Sequence, residues 1–216
     1  ESVRILHLQR ALAMRVGNSK VTKMKWIKNN PSKIRGYYRE HKDWMDEFGS
    51  RLQVPPTGIG QKELCEWMGK QAKTKRVIII DPISIVDQDL HKNAWDSDRL
   101  FIKKTEEIAK KNGVSIINVS HPRGEGYRPS LDNIKGSKAW PNFTHNVLWM
   151  EPIEKTNVFI RNWPGTLECE INRRMHLLKA RVGECEYSAA LGFLFDHTTL
   201  RLHEVGLIVP KPKEKK

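Results

Sequence analysis

The sequence lacks long apolar runs, paired cysteines and a secretion signal, and each absence excludes a class of protein. None of its apolar runs approaches the roughly 20 residues of a membrane span. Its first residues carry no signal-peptide pattern. The cysteines are too far apart for a disulfide framework or a paired metal-ligand motif, and we expect ordinary buried or half-buried thiols (Cys65, Cys169, Cys185). We therefore expect a soluble, intracellular protein.

Acidic residues are scarce relative to basic ones. The chain holds 38 Lys and Arg against 25 Asp and Glu, a formal net charge of +13. Such a charge indicates a polyanionic partner, most often nucleic acid, although basic residues also serve simply to keep a surface soluble. The proportions of hydrophobic and charged residues, 38% and 29%, are those of a globular protein. We expect one domain over residues 1–207, followed by a basic disordered tail over residues 208–216.

Helical spacing of apolar residues predicts several helices in the first half of the chain. Ile5, Leu8, Leu12 and Val16 predict an amphipathic helix that stops at Gly17. The stretch that follows is basic and rich in Trp and Tyr, and it predicts short surface helices, a strand end with a Pro/Gly loop, and a further helical face (residues 19–50, 51–60 and 64–71).

Two apolar runs predict strands. Val77–Ile80 is apolar on both faces, which is typical of a central parallel strand covered by helices, and Val114–Ser120 is predicted to be a second buried strand. A helix over 98–111, closed by Gly113, lies between them. Further strands are predicted at residues 146–150, and at 175–181 and 188–195 as a hairpin through Gly183. The pattern predicts an α/β fold with a parallel sheet and an antiparallel extension.

The two apolar strands end in polar side chains. Asp81 follows the first and has the position of a Walker B carboxylate, which holds Mg²⁺ directly or through water. Ser120 and His121 end the second, where a side chain would sense a γ-phosphate. The alternatives are ordinary: Asp favours turns and helix caps, and a histidine at a strand end is more often structural.

A basic loop leaves the second strand. Over residues 121–138 it holds Arg123, Arg128, Lys135 and Lys138 between glycines. A flexible backbone with cations is suited to tracking the phosphates of a nucleic acid, while the alternative is a solvated surface loop.

A second pair of cations ends a later strand. Alternation puts Lys179 and Arg181 on one face, from which they would reach the triphosphate of a neighbouring subunit, as an arginine finger does. The alternative is a basic strand edge that discourages aggregation.

The order of these segments resembles the RecA-like domain of DnaB-type replicative helicases. The likeness is carried by VIIIDPISI, VSIINVSHPRGEGYRPSLDNIKGSKAW, HNVLWMEP and LLKARVGE, covers roughly residues 60–205, and is most specific in RPSLDNIKGSKAW. It is closer to the phage primase-helicases and the mitochondrial helicase Twinkle, in which the second strand also ends in a histidine followed by a basic loop.

The resemblance implies an ATP- and Mg²⁺-dependent motor with a RecA-like fold. Such motors assemble as rings, here a homo-hexamer, move on single-stranded DNA, and work with a primase or a helicase loader. The resemblance also implies the cytoplasm of a bacterium or of a phage-infected cell, or a mitochondrion.

The resemblance also assigns roles to single residues. Asp81 would be the magnesium-associated carboxylate, His121 the γ-phosphate sensor, and Lys179 and Arg181 the residues acting on the next subunit's nucleotide. Glu1 would be the carboxylate that polarises the attacking water. The loop residues implied to contact DNA are Lys135, Gly136, Ser137 and Lys138, alongside the cations Arg123 and Arg128.

One part of the family pattern is missing, the phosphate-binding loop. The only Gly-Lys pair is Gly69-Lys70, with Gln71 where Ser or Thr is required, so the sequence contains no Walker A loop. We expect the chain to be part of a longer helicase, with apolar sheet residues left exposed. The alternatives are a DNA-binding or ring-capping module that hydrolyses no nucleotide and, less well matched by RPSLDNIKGS, a recombinase or circadian-type ATPase on the same fold.

Overall fold

The computed structural model describes residues 2–53, 58–83, 86–87, 93–124, 128–162, 164–181 and 189–211. Over these ranges the fold is mixed α/β, with a small parallel sheet and an antiparallel sheet. The chain divides into two compact units, one formed by Glu1–Pro55, Met150–Met175 and Ala189–Lys216, the other by Pro56–Trp149 and His176–Ser188. The expectation of one domain over residues 1–207 stays a prediction.

The first unit begins with four helices around one apolar cluster. They are α1 (Ser2–Val16), α2 (Met24–Asn29), α3 (Pro31–Glu40) and α4 (Lys42–Arg51), with a 3₁₀ turn at Ser19–Thr22. The predicted α1 and the short helices after it are confirmed. The short helices are less superficial than predicted, because they bury Val21, Ile34 and Met45 against Leu12 and Ala13.

Most of the long antiparallel strands belong to the same unit. The sheet runs β3 (Asn146–Asn162), β4 (Gly165–Ala180), β5 (Ala190–Asp196) and β6 (Arg201–Val209), and β6 also pairs with β3 to close it. Val158, Ile160 and Ile171 form its core. Arg201 ties the sheet to α1 by donating from Nε to the Met14 carbonyl at 2.9 Å.

The second unit holds the parallel pair. Strands β1 (Val77–Ile80) and β2 (Ser115–Asn118) pair in register from Val77–Ser115 to Ile80–Asn118. Three helices pack beside them, α5 (Gln61–Gln71), α6 (Ala94–Asn112) and α7 (Ala139–Phe143). Helix α6 ends as predicted, because Gly113 adopts a left-handed conformation at its C-cap.

The prediction that both faces of these strands are buried was wrong. Ile78 and Ile80 are buried, but Val77 and Ile79 are 52% and 59% exposed, and Ile117 is 47% exposed. Among the described residues the sheet has only two strands, and α5 and α6 pack with its Ile78 face. The apolar exposure expected of an incomplete sheet is therefore present.

Other element boundaries also differ from the prediction. Residue Arg51 ends helix α4 rather than a strand, and β3 extends to Asn162 rather than to Met150. The strand predicted over 175–181 is the last part of the much longer β4. These strands were missed because Glu, Lys, Arg and Asn interrupt their apolar pattern. The predicted turn at Gly183 and the end of the tail lie outside the described residues.

The cysteines that the structure describes are unpaired thiols. Cys65 is buried and Cys169 is half-buried, as expected for ordinary packed thiols, while Cys185 lies outside the described ranges. Burial raises the pKa of the Cys65 thiol to about 11, which makes it a poor nucleophile at neutral pH.

Over the described part of the chain, every helix is too short or too polar to cross a bilayer.

Candidate functional site

The ends of the two parallel strands lie at the same edge of the sheet. The Val119 amide donates to the Ile80 carbonyl at 2.8 Å, and the Ile83 amide donates to the Val119 carbonyl at 2.8 Å. These bonds hold the segment that begins with Asp81 beside the segment that leads to His121. Both of these residues are exposed. The sequence-predicted pair is thus brought to one edge, which is where ligands bind in parallel α/β sheets.

A third polar residue at this edge was not singled out from the sequence. Asn118 of β2 pairs in register with Ile80 of β1, and Ile80 is the residue immediately before Asp81. Its Oδ1 atom is buried and has no hydrogen-bond partner within the described residues. An unsatisfied buried acceptor is uncommon in proteins and is suited to a water molecule or an ion. Only the strand register reveals that Asn118 lies level with Ile80, the residue before Asp81.

The basic loop is folded back onto the end of β2. The Lys135 amide donates to the His121 carbonyl at 3.0 Å, and Pro122 forms an antiparallel bridge with Ile134. Arg123 donates from Nε to the Ile134 carbonyl at 3.1 Å and from Nη2 to that of Gly136 at 3.4 Å. Arg123 therefore braces the loop, and its predicted contact with phosphates stays a prediction.

A buried carboxylate anchors the far side of this loop. Asp98, in the first turns of α6, is only 2% exposed and accepts a hydrogen bond from the Ser137 amide at 3.1 Å. Gln61 lies within 3.4 Å of the other carboxylate oxygen and accepts a bond from Ser97 at 2.7 Å. These contacts fix Ser137 relative to α5 and α6. No sequence pattern pointed to Asp98, because its position is that of an ordinary helix start.

Gly136 is required where it stands. Its φ of +111° lies in a region that favours glycine, and a Cβ there would lie 2.8 Å from Cδ1 of Trp140 and 3.6 Å from a carboxylate oxygen of Asp98. The backbone thus passes close to the buried indole before α7 begins. We infer a structural need for this glycine, beside the DNA-contacting role that the resemblance implies for it.

The remaining cations of the loop are open to solvent. Arg128, Lys135 and Lys138 are exposed, and the carbonyl of Arg128 accepts a hydrogen bond from Asn133 Nδ2 at 2.8 Å. Exposed cations on a fixed backbone are suited to contacts with phosphates. The DNA-contacting role of these three residues stays a prediction.

The two predicted trans-acting cations differ in their surroundings. Lys179 donates from Nζ to the carbonyls of Pro141 and Asn142 at 2.6 and 3.0 Å, at the end of α7. Burial, and then the charge of Arg181, lower the pKa of its ammonium group. Arg181 is exposed, and its amide is bonded to the His145 carbonyl. Arg181 is therefore the more accessible of the two cations, and the trans-acting role of both stays a prediction.

A carboxylate of α6 lies in the same neighbourhood. Glu106 accepts a salt bridge from Lys110 at 2.6 Å and lies 3.4 Å from His145. A hydrogen bond from Lys110, and more weakly the charges of His145 and Arg181, lower its pKa. The carboxylate partly offsets the positive charge around Arg181.

The polar residues at the sheet edge meet only some of the requirements of a Mg²⁺ site and of an ATP site. Mg²⁺ is usually held by one or two carboxylates together with water and substrate phosphates, and Asp81 provides one exposed carboxylate at the sheet edge. The described residues contain no cluster of three metal-ligating side chains. They also include no glycine-rich phosphate cradle, and Glu1 lies outside them.

Neither models of known protein families nor curated protein sequences match the chain.

Proposed function

We propose that the chain is the RecA-like motor domain of a ring-shaped replicative DNA helicase. In this proposal a homo-hexameric ring couples hydrolysis of Mg-ATP between its subunits to movement along single-stranded DNA, with a primase or a loader as a further partner. The observation that carries the proposal is the common sheet edge of Asp81 and His121, to which the basic loop is hydrogen-bonded.

This edge offers a direct route from nucleotide to DNA. A change at the His121 side chain would move its own backbone, whose carbonyl holds the Lys135 amide. Lys135 and Lys138 are exposed cations of the loop. The state of a bound phosphate and the position of the DNA-contacting loop would therefore be linked through the backbone hydrogen bond between His121 and Lys135.

Each remaining residue has a distinct part in the proposal. Asp81 would hold the magnesium ion, which when bound neutralises charge on the nucleotide phosphates. Arg181 would reach the neighbouring subunit's nucleotide, while Lys179 would hold the end of α7 and so position the strand that carries Arg181.

The proposal requires a phosphate-binding loop, and this sequence has none. Turnover of ATP is therefore expected only from a polypeptide that carries such a loop in addition to these residues. The exposed apolar side chains of β1 and β2 support the same requirement, since Val77 and Ile79 lie open on a parallel sheet that normally has more layers around it.

The test compares ATP turnover by this polypeptide with turnover by a chain extended upstream to include the loop. We expect no turnover by the first and DNA-stimulated turnover by the second. In the extended chain, Arg181→Ala should abolish DNA-stimulated hydrolysis while nucleotide binding is largely kept. An Arg181→Ala ring with unchanged turnover would rule out the trans-acting role.

A second candidate function is a DNA-binding or ring-capping module without hydrolysis. The missing phosphate loop is the observation that favours it. An upstream coding sequence without a Gly-Lys-Ser/Thr loop, together with salt-sensitive DNA binding by this chain, would support the module and overturn the motor. DNA-stimulated turnover of ATP by this chain alone would contradict both candidate functions. The motor requires a phosphate-binding loop that this sequence lacks, and the module hydrolyses no nucleotide.

A further inference from the structure

Residues 10–39 account for most of the net positive charge of the chain. This stretch holds nine Lys and Arg and no Asp or Glu, so nine of the thirteen net charges lie in 30 residues, at Arg10, Arg15, Lys20, Lys23, Lys25, Lys28, Lys33, Arg35 and Arg39. All nine side chains are exposed. None of them forms a salt bridge with a carboxylate in the part of the chain that the structure describes.

The helices turn these cations outward by burying the residues between them. Val21 and Ile34 are buried in the apolar cluster, and Trp26, Ile27 and Tyr37 pack against it. Lys25 and Lys28 stand three residues apart on α2, and Arg35 and Arg39 stand four apart on α3. Like charges at these spacings repel each other and weaken a helix, so they do not serve its stability. An external anion would relieve that repulsion.

A hollow lies beside the basic surface within the same unit. Its volume is about 460 Å³, and it is lined by Leu8, Tyr38, Arg39, Lys42, Met45 and Asp46. The volume is within the range of about 300 to 1,000 Å³ found for small-molecule sites. Tyr38 is 38% exposed, so part of its ring is open to solvent. The Lys42 ammonium is paired with the Asp46 carboxylate at 2.7 Å, so Arg39 is the cation of the lining that remains for a phosphate, beside an aromatic ring suited to a flat base.

We propose that residues 10–42 form a second binding surface for single-stranded nucleic acid, separate from the loop of residues 121–138. Its cations contact successive phosphates, and the hollow at Tyr38 receives one unstacked base. Phosphate contacts of this kind carry little sequence information, so the surface binds without strong base preference. The surface needs no ATP turnover, and it stands or falls independently of the proposed motor.

The first experiment removes three lysines of the surface. Binding of a fluorescein-labelled oligothymidylate is measured by anisotropy at several salt concentrations for K25Q/K28Q/K33Q. A matched control, K103Q/K104Q/K111Q, removes three exposed lysines of α6. We expect the slope of log affinity against log salt to fall by about 2 in the first variant, at roughly 0.7 for each phosphate that is no longer neutralised, and to change little in the control. Equal losses of affinity in both would overturn the surface, because only net charge would then matter.

The second experiment addresses the hollow. Tyr38→Leu keeps an apolar side chain but removes the ring, and stacking of a base on an aromatic side chain accounts for roughly 5- to 100-fold in affinity. We expect a loss in that range for the oligothymidylate and no loss for a duplex of the same length. An equal effect on both, or no effect on either, would overturn the base-binding hollow.

Two further outcomes separate this proposal from its rivals. Vesicles rich in phosphatidylserine serve as a second anionic probe. If K25Q/K28Q/K33Q no longer binds the vesicles but still binds DNA, the surface belongs to a membrane and the proposal is overturned. K135Q/K138Q alters only the loop. If that variant removes all DNA binding, the helical surface contributes none and the proposal fails, whereas residual binding that K25Q/K28Q/K33Q then removes would establish it.

Discussion

Residues 10–39 and residues 121–138 are both basic, but they hold their cations in different ways. In the loop, backbone hydrogen bonds and the buried carboxylate of Asp98 fix the chain, and Arg123 braces it from within. In the helical stretch, an apolar core behind the helices fixes the chain, and the nine cations make few contacts with the rest of the protein. The position of the loop therefore depends on polar contacts, and the position of the helical stretch depends on the burial of apolar side chains.

The two regions also depend on different interactions for their stability. The loop depends on a few polar contacts, so a single substitution should displace it without unfolding its unit. The helical stretch depends on summed burial, so only core substitutions should disturb it, while its charges can be altered freely. Substitutions in the two regions should therefore differ both in how much they destabilise the protein and in how many residues they affect.

The largest effect is expected from Leu12→Ala. Leu12 is fully buried in the core of the helical stretch, and such truncations cost about 3 to 5 kcal/mol. Hydrogen exchange resolved by peptide should show faster exchange in α1 to α4. Leu6→Ala, on the exposed face of α1, should have little effect. Similar exchange in the two variants would mean that burial does not hold this region together.

The next effect is expected from Asp98→Ala. The substitution leaves the Ser137 amide and the Gln61 side chain without their shared acceptor, at a cost of about 2 to 3 kcal/mol. Peptide-resolved exchange should increase around residues 134–140, and DNA binding by the loop should weaken. Asp98→Asn keeps an acceptor and should recover part of the stability, while the exposed Asp132→Ala should change neither readout. Unchanged exchange at residues 134–140 in Asp98→Ala would show that this carboxylate does not anchor the loop.

A smaller effect is expected from Gly136→Ala. The added Cβ meets Trp140 and strains a backbone at φ +111°, which costs about 1 to 2 kcal/mol. Gly113→Ala is the matched control, since Gly113 has a φ of +62° and no atom within 4 Å of a new Cβ. Both variants should lower the thermal midpoint, but only Gly136→Ala should also weaken DNA binding. Weakened binding in Gly113→Ala would show that the loop is not specifically positioned.

The smallest effect is an acid dependence at the turn between β5 and β6. Hydrogen bonds from Thr198, then from Thr199, hold the pKa of Asp196 well below its usual range. The folded pKa is therefore lower than the unfolded one, so this stabilisation is complete above about pH 4 and is lost as the pH falls through the folded value. Acid titration followed by circular dichroism should show that Asp196→Asn reduces the drop in stability below pH 4. A titration curve identical to that of the parent would refute the assignment.

The sequence predicted local structure well where a periodic apolar pattern coincided with a terminating residue. Helix α1 and helix α6 were predicted because both conditions were met, with Gly17 and Gly113 as the stops. Strands β3 and β4 were largely missed because polar residues alternate irregularly along them, and antiparallel pairing rather than composition holds them.

The candidate site was predicted in part for the same reason. Asp81, His121 and the loop cations could be recognised because residues at the ends of apolar strands share a sheet edge. Asp98 and Asn118 could not, because each gains its meaning from a partner distant in sequence, the Ser137 amide for one and the Asp81 strand for the other. Lys179 and Arg181 looked equivalent until the carbonyls at the end of α7 distinguished them.

The amino-acid sequence by itself determined the charge, the order of elements and the polar residues that end the two parallel strands, because these depend on residue type and short-range spacing. The tertiary structure decided which cations are open and which are engaged, which face of each strand is covered, and that a buried carboxylate holds the basic loop. Those properties depend on contacts between residues far apart in the chain, and no local pattern records them.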